Sequence, residues 1–179
     1  MEIPDQQFAE LTARVQYLAD RQEILDRITG YGRGLDRLDP DLIRSAFHGD
    51  GIDDHGAFVG KVDEFVPWAI ECEAAFRLTH HGISSHSCEI DGDTAHCESY
   101  IHFFVAFSDR PVIGAGGGRY IDRLERREGR WAITVRRFVL DWTYEVPSSE
   151  WLGPEWSASL PKRSREDLAY QRPLQAPAG

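Results

Sequence analysis

The chain has 179 residues, 41% of them apolar, and a formal net charge of −10. That length suits one domain with a sizeable core, and the apolar share argues against disorder throughout. The acidic excess repels phosphate backbones and excludes a nucleic-acid partner, and no apolar run approaches a membrane span.

The N-terminal stretch MEIPDQQFAELTARVQ lacks the basic start and apolar run of a signal peptide. The three cysteines, Cys72, Cys88 and Cys97, are an odd number without C-x-x-C spacing. Both features predict a reducing, cytoplasmic setting without a disulfide framework.

In chain order, Asp5 is placed to cap a helix carrying Phe8, Leu11, Val15 and Leu18 at helical spacing. A second apolar stripe, Ile24, Leu25, Ile28, Tyr31 and Leu35, runs into Gly30, Gly32 and Gly34, which disfavour a helix but leave space beside it. Asp39-Pro40, a capping residue followed by proline, predicts a short helix over roughly 40–47. HGDGIDDHGAFVG reads as turns around a short strand, and KVDEFVPWAIECEAAF as a helix in which Pro67 is tolerable only in the first turn.

Long strands follow near 80–91, 94–108, 112–127 and 130–145, with turns at Asp91-Gly92-Asp93 and Glu128-Gly129-Arg130. Helices first and an antiparallel meander second predict an α+β fold in one domain, residues 1–146. From Pro147 to residue 179 the chain is rich in Pro, Ser and charge, an extended tail wrapping the domain or a neighbour and disordered at its end.

The order of elements, with YGRGLDRLDPDLIRSAF, THHGISSHSCEIDGDTA and GGRYIDRLERREGRWAI, resembles the SnoaL-like branch of the nuclear transport factor two superfamily over about residues 8–145. The resemblance implies a cone, in which a curved antiparallel sheet wraps against N-terminal helices and encloses an apolar pocket. Within that branch the pattern is most similar to scytalone dehydratases, bile acid 7α-dehydratases and hexachlorocyclohexane dehydrochlorinases, which remove water or HCl without a cofactor. Carried over by position, it implies Tyr31 and Asp36, five residues apart at the end of the first long helix, and His81 ahead of the I-D-G-D turn, with His80 as its alternative. It also implies a polar residue from the next strand, His102 or else His96. The related dehydratases are trimers, so a homo-oligomer, and a trimer before a dimer, is expected.

Asp36 stands out on the residues alone. It follows an apolar stripe, and Gly32 lies one turn before it, so a carboxylate there needs a hydrogen-bonding partner. The competing reading is a surface aspartate at a helix end, like Asp39 and Asp41. Imidazole is the side chain best suited to take a proton at neutral pH, which makes His81 the partner, although alternation sends one of His80 and His81 to solvent.

Tyr31 either holds a substrate oxygen or sits in the core. Alternation on the second long strand puts His102 opposite the apolar row Ala95, Cys97, Ser99, Ile101 and Phe103, against the resemblance. His55, Phe58, Trp68 and His80 complete the expected pocket.

No metal is expected: none of the seven histidines forms a zincin motif, and His96-Cys97-Glu98 lacks the downstream cysteines of a zinc deaminase. The run Gly114–Gly118 has no Lys-Ser/Thr ending and reads as a flexible strand start or bulge, and no serine sits in a nucleophile elbow.

The chain therefore reads as a cofactor-independent lyase of dehydratase type, or an isomerase, acting on a hydrophobic cyclic polyketide, steroid or terpenoid through Asp–His chemistry. Its rivals are a non-catalytic small-molecule binder and a small β-type subunit of a ring-hydroxylating dioxygenase, since one fold serves many functions.

Overall fold

The computed structural model describes residues 5–148 and 160–175. The elements are α1 (Asp5–Arg37), α2 (Pro40–Ser45), β1 (Phe47–Asp54), β2 (Val59–Lys61), α3 (Val62–Ala74), β3 (Phe76–Asp91), β4 (Thr94–Phe107), β5 (Val112–Arg127) and β6 (Arg130–Pro147), with a 3-10 turn at Leu168–Tyr170.

The two apolar stripes of the N-terminal region form one continuous helix of 33 residues, and the glycines do not break it. Gly34 instead admits α2: a Cβ there would stand 2.7 Å from Ile43 Cγ1 and 2.9 Å from its backbone nitrogen. Asp39 caps α2 by accepting from the Leu42 N–H, as the Asp-Pro pair predicted. Burial on α1 begins at Asp20 and runs through Ile24, Ile28, Tyr31 and Leu35, whereas Phe8, Leu11, Val15 and Leu18 are exposed. Asp20 pins that boundary by accepting from Arg126 Nη1 at 3.0 Å and Trp131 Nε1 at 2.9 Å.

Pro67 lies beyond the first turn of α3, which starts at Val62, so the helix forgoes one backbone bond there.

The six strands form one sheet in the order β2-β1-β6-β5-β4-β3. It is mixed rather than wholly antiparallel, because β1 pairs parallel to β6 while every other neighbour is antiparallel. Breaks in register at Ile83/Ser85, Gly117/Gly118 and Arg123/Leu124 curve it around the helices. Glu128 and Gly129 both have positive φ, the requirement of a tight two-residue hairpin turn. The Gly114–Gly118 run belongs to the interior of β5, where large rings lie across it: a Cβ on Gly116 would collide with the Phe103 ring and one on Gly117 would stand 2.5 Å from Trp142.

The core fills the concave side, where Ile24, Ile28, Tyr31, Phe65, Leu124, Trp131 and Ile133 are all fully buried, each contributing about 1.5–3 kcal/mol. The convex side carries a second apolar row of exposed residues, Tyr100, Phe104, Trp142, Tyr144 and Val146. Phe138, by contrast, turns inward to the concave side.

Residues 160–175 of the tail fold back on the end of α1. Arg37 pairs with Asp167 at 3.2 Å, Arg165 with Asp39 at 3.0 Å, and Tyr170 Oη donates to Asp39 at 2.8 Å. The expected disorder at the tail's end falls outside the described residues.

Both anchoring carboxyls are held below their ordinary range. The Ala169 and Lys162 N–H groups and Arg37 do this for Asp167. At Asp39 burial opposes the shift but is outweighed by Tyr170, the Leu42 N–H and Arg165. Depressed folded values mean that this docking is complete at neutral pH and is lost as pH falls through them, below about pH 4. Hydrogen exchange at pH 7 and pH 3 is expected to show residues 160–175 losing protection before the sheet does; equal protection at both would contradict it.

Candidate active site

Asp36 ends the last turn of α1 and meets the strand that passes it. Its Oδ1 lies 2.7 Å from His81 Nδ1, its Oδ2 accepts from the His81 backbone N–H at 3.0 Å, and Thr79 Oγ1 donates to Oδ1 at 3.1 Å. The pair is well shielded, with side-chain exposures of 13% for Asp36 and 8% for His81. Close approach depends on Gly32, where a Cβ would touch the His81 Cβ at 3.4 Å. Nδ1 being engaged by the carboxylate, His81 presents Nε2 to the cavity, 3.8 Å from Glu73 Oε1.

That cavity, about 180 Å³, is lined by Phe76, Ile101, Phe103, Val105, Tyr120 and Phe138, with His55, Glu73 and His81 as its polar groups. Its second imidazole is also paired with a carboxylate. His55 Nδ1 lies 2.6 Å from Oδ1 of Asp53, whose side chain is fully buried. Asp53 and His55 are two apart at the end of β1, so backbone alternation aims both inward. The His55 ring stacks on Phe138 with centroids 5.0 Å apart. β3 closes one edge of the sheet and β1 lies next to the other, so curvature brings two Asp–His pairs from opposite sides into one pocket.

Arg163, from the tail, ties the first pair to the domain. It donates to the carbonyl oxygens of Glu73 at 2.6 Å and Phe76 at 2.7 Å, and to Thr79 Oγ1 at 3.0 Å. The chain of bonds then runs Arg163, Thr79, Asp36, His81. Burial pulls the Arg163 guanidinium below its ordinary value, partly offset by Glu73 and Asp36.

Five expected site residues lie elsewhere. Tyr31 is wholly buried among Phe47, Phe65 and Tyr120, does not line the cavity, and has its phenol pushed up chiefly by burial. It is a core residue, stacked on Phe65 and set edge-on to Tyr120, which itself lines the cavity. His102 is exposed on the convex face beside Trp142, as strand alternation required and the resemblance did not. His80 is exposed, one residue out of phase with His81. Phe58 and Trp68, stacked at 5.1 Å, do not line the cavity but lie behind it, Trp68 edge-on to His55.

Glu73, Thr79, Asp53 and Arg163 were not singled out from sequence. The D-x-H spacing of Asp53 and His55 on a strand was the one available signal. A larger, more open hollow of about 400 Å³ at the β3–β4 turn holds His96, with Glu89, Asp91 and Arg123 around it, but no Asp–His pair.

Among solved structures, the chain is similar to the hexachlorocyclohexane dehydrochlorinase LinA-type3 of Novosphingobium barchaimii LL02. The TM-score is 0.71 at 15% identity, over 79% of this chain and 99% of that one. It is similar to a candidate scytalone dehydratase from Novosphingobium aromaticivorans DSM 12444, with a TM-score of 0.66 at 20% identity over 76% and 95% of the two chains. A cystatin-like protein of unknown function from Nostoc punctiforme PCC 73102 gives 0.60 at 20% identity over 69% and 92%. At such identities the likeness is one of fold. No curated protein sequence matches the chain. The sequence profile of the SnoaL-like domain matches residues 16–137, well over half of the chain, which therefore belongs to the SnoaL-like domain family.

Proposed function

We propose that the chain is a cofactor-independent lyase of dehydratase type, or an isomerase, that moves protons between two histidines across an apolar pocket. The observation that carries this reading is the pair of Asp-bound imidazoles, His81 and His55, lining one cavity. In a dehydration, His81 Nε2 takes a proton from carbon beside an activating group while Asp36 holds the ring in the required tautomer. His55 Nε2 delivers a proton to the departing hydroxyl, and water leaves as the double bond forms. In an isomerisation the same second proton goes to carbon instead. The dehydrochlorinase and dehydratase names of the structural neighbours agree with this class of chemistry.

Cavity size narrows the substrate. An engineered cavity of about 150 Å³ holds one benzene ring, and this one measures about 180 Å³. A substituted one-ring or small fused-ring polyketide or terpenoid fits; a steroid would extend through the mouth. The test is to incubate the purified protein with a panel of hydroxylated cyclic ketones from these classes and follow loss of water or double-bond migration by mass spectrometry and NMR. A turnover that His81→Ala and His55→Ala each abolish supports the reading. Ligands bound but returned unchanged would make the chain a binding protein.

We also propose a homotrimer, in which the convex row of Tyr100, Phe104, Trp142, Tyr144 and Val146 is covered by a second copy. A sheet apolar on both faces needs two covers. Light scattering at micromolar concentration is expected to give three times the chain mass, and Phe104→Lys to shift it toward monomer; a wild-type monomer would contradict it.

A further inference from the structure

Outside the pocket, β3 and β4 bring three soft or borderline metal ligands together on their inner face. His86 and Cys88 are two apart on β3 and share a side; Cys88 pairs directly with Cys97 on β4, and His86 with Ser99. A ring nitrogen of His86 and both sulfur atoms lie within 4.8 Å of one another. Cys97 is fully buried, Cys88 is 6% exposed, and His86 is half-buried on the edge strand, which leaves a route in.

We propose that His86, Cys88 and Cys97 form a site for a thiophilic d10 cation, Zn(II) or Cu(I), independent of the catalytic pocket. Two thiolates and an imidazole are the ligand set these ions prefer. His86 is already oriented for it: Nδ1 contacts Ser99 Oγ at 2.9 Å, and Nε2 is buried with no hydrogen-bond partner among the described residues. Ligating histidines typically use their second nitrogen to fix the ring in this way.

Metal–sulfur bonds of about 2.3 Å and metal–nitrogen bonds of about 2.0 Å put donors roughly 3.5–4 Å apart, so the cluster closes by side-chain rotation alone. The charge also balances, because two thiolates neutralise a divalent ion. The arriving ion displaces the thiol protons, which pass to solvent. The sequence hides the site because its cysteines sit on different strands, nine residues apart around a turn.

The test uses the full chain, stripped of metal and reduced, with all three thiols counted as free. Titration with zinc sulfate, or with Cu(I) held in a chelator buffer, is followed by elemental analysis after gel filtration, and Co(II) is added as a spectroscopic probe. About one equivalent of Zn(II) or Cu(I) is expected, with a thiolate-to-cobalt charge-transfer band. Saturating ion is expected to raise Tm by about 5 °C. His86→Ala and Cys88→Ala, checked for folding by circular dichroism, are expected to weaken uptake at least tenfold and remove the Tm shift. No uptake by the reduced protein, uptake unchanged in both variants, or a Cys88–Cys97 disulfide in protein isolated under reducing conditions would each overturn the proposal.

Discussion

Arg136→Met is expected to lower stability by about 3–5 kcal/mol, because it strands a carboxylate in a dry interior. Arg136 and Asp122 are both fully buried and joined by two hydrogen bonds of 2.7 Å. The guanidinium lies between the rings of Tyr31 and Tyr120, 4.2 and 4.0 Å from their centroids. In the single variant Asp122 keeps its desolvation penalty and loses its partner. The midpoint should fall by about 10 °C, at roughly 2–4 °C per kcal/mol for a chain of this size.

Asp122→Leu combined with Arg136→Met removes both charges and should recover much of the loss, since an apolar pair of similar volume replaces a buried ion pair at little cost. Urea melts of the two single variants and the double decide it. A double variant as unstable as the two losses added together would show that the pair does not act as a unit. Tyr120 also lines the cavity, so the single variant should weaken the pocket as well as the fold.

His81→Ala and Asp36→Asn are each expected to lower turnover by about 10²–10⁴-fold, the usual worth of a positioned general base. Alanine removes the base. Asparagine keeps the shape but offers an amide where the carboxylate accepted from Nδ1, which favours the wrong tautomer. The two residues do one job, so the double variant should be little worse than either single variant. His80→Ala is the control; its side chain is exposed, and it should keep most activity. Normal turnover in His81→Ala with loss in His80→Ala would place the base one residue away. Activity in both would remove the Asp–His mechanism.

The Asp36–His81 contact was legible because each half had a local signature: an acidic residue after an apolar stripe and a glycine on one side, a histidine at the head of a strand on the other. What surrounds it was not. Glu73 reads as one more charge on α3, Thr79 as a strand residue and Arg163 as part of a polar tail; only tertiary folding brings them within reach of the pair. The parallel pairing of β1 with β6 was hidden for the same reason, as it joins residues about eighty apart.

His102 teaches the reverse. The period of two placed it on the convex face, and local physics was a better guide there than the family pattern. Two bulges in β6 escaped both guides. The strand gains one extra residue between the Leu124–Ile133 and Arg123–Val135 pairs and another between the Gly118–Leu140 and Gly117–Trp142 pairs; each flips the side chains that follow, turning Phe138 inward and Trp142 outward.

The most direct test of the central claim is the tautomer of His81 in the resting protein. Nitrogen NMR of histidine-labelled protein, with the signal assigned through His81→Ala, reports which ring nitrogen carries the proton. If Asp36 orients a base, Nδ1 carries it and donates to the carboxylate at the 2.7 Å contact, leaving the Nε2 lone pair facing the cavity, and Asp36→Asn scrambles this preference. A ring protonated at Nε2 instead, with Nδ1 bare against Asp36, would have no lone pair for the substrate and would contradict the account.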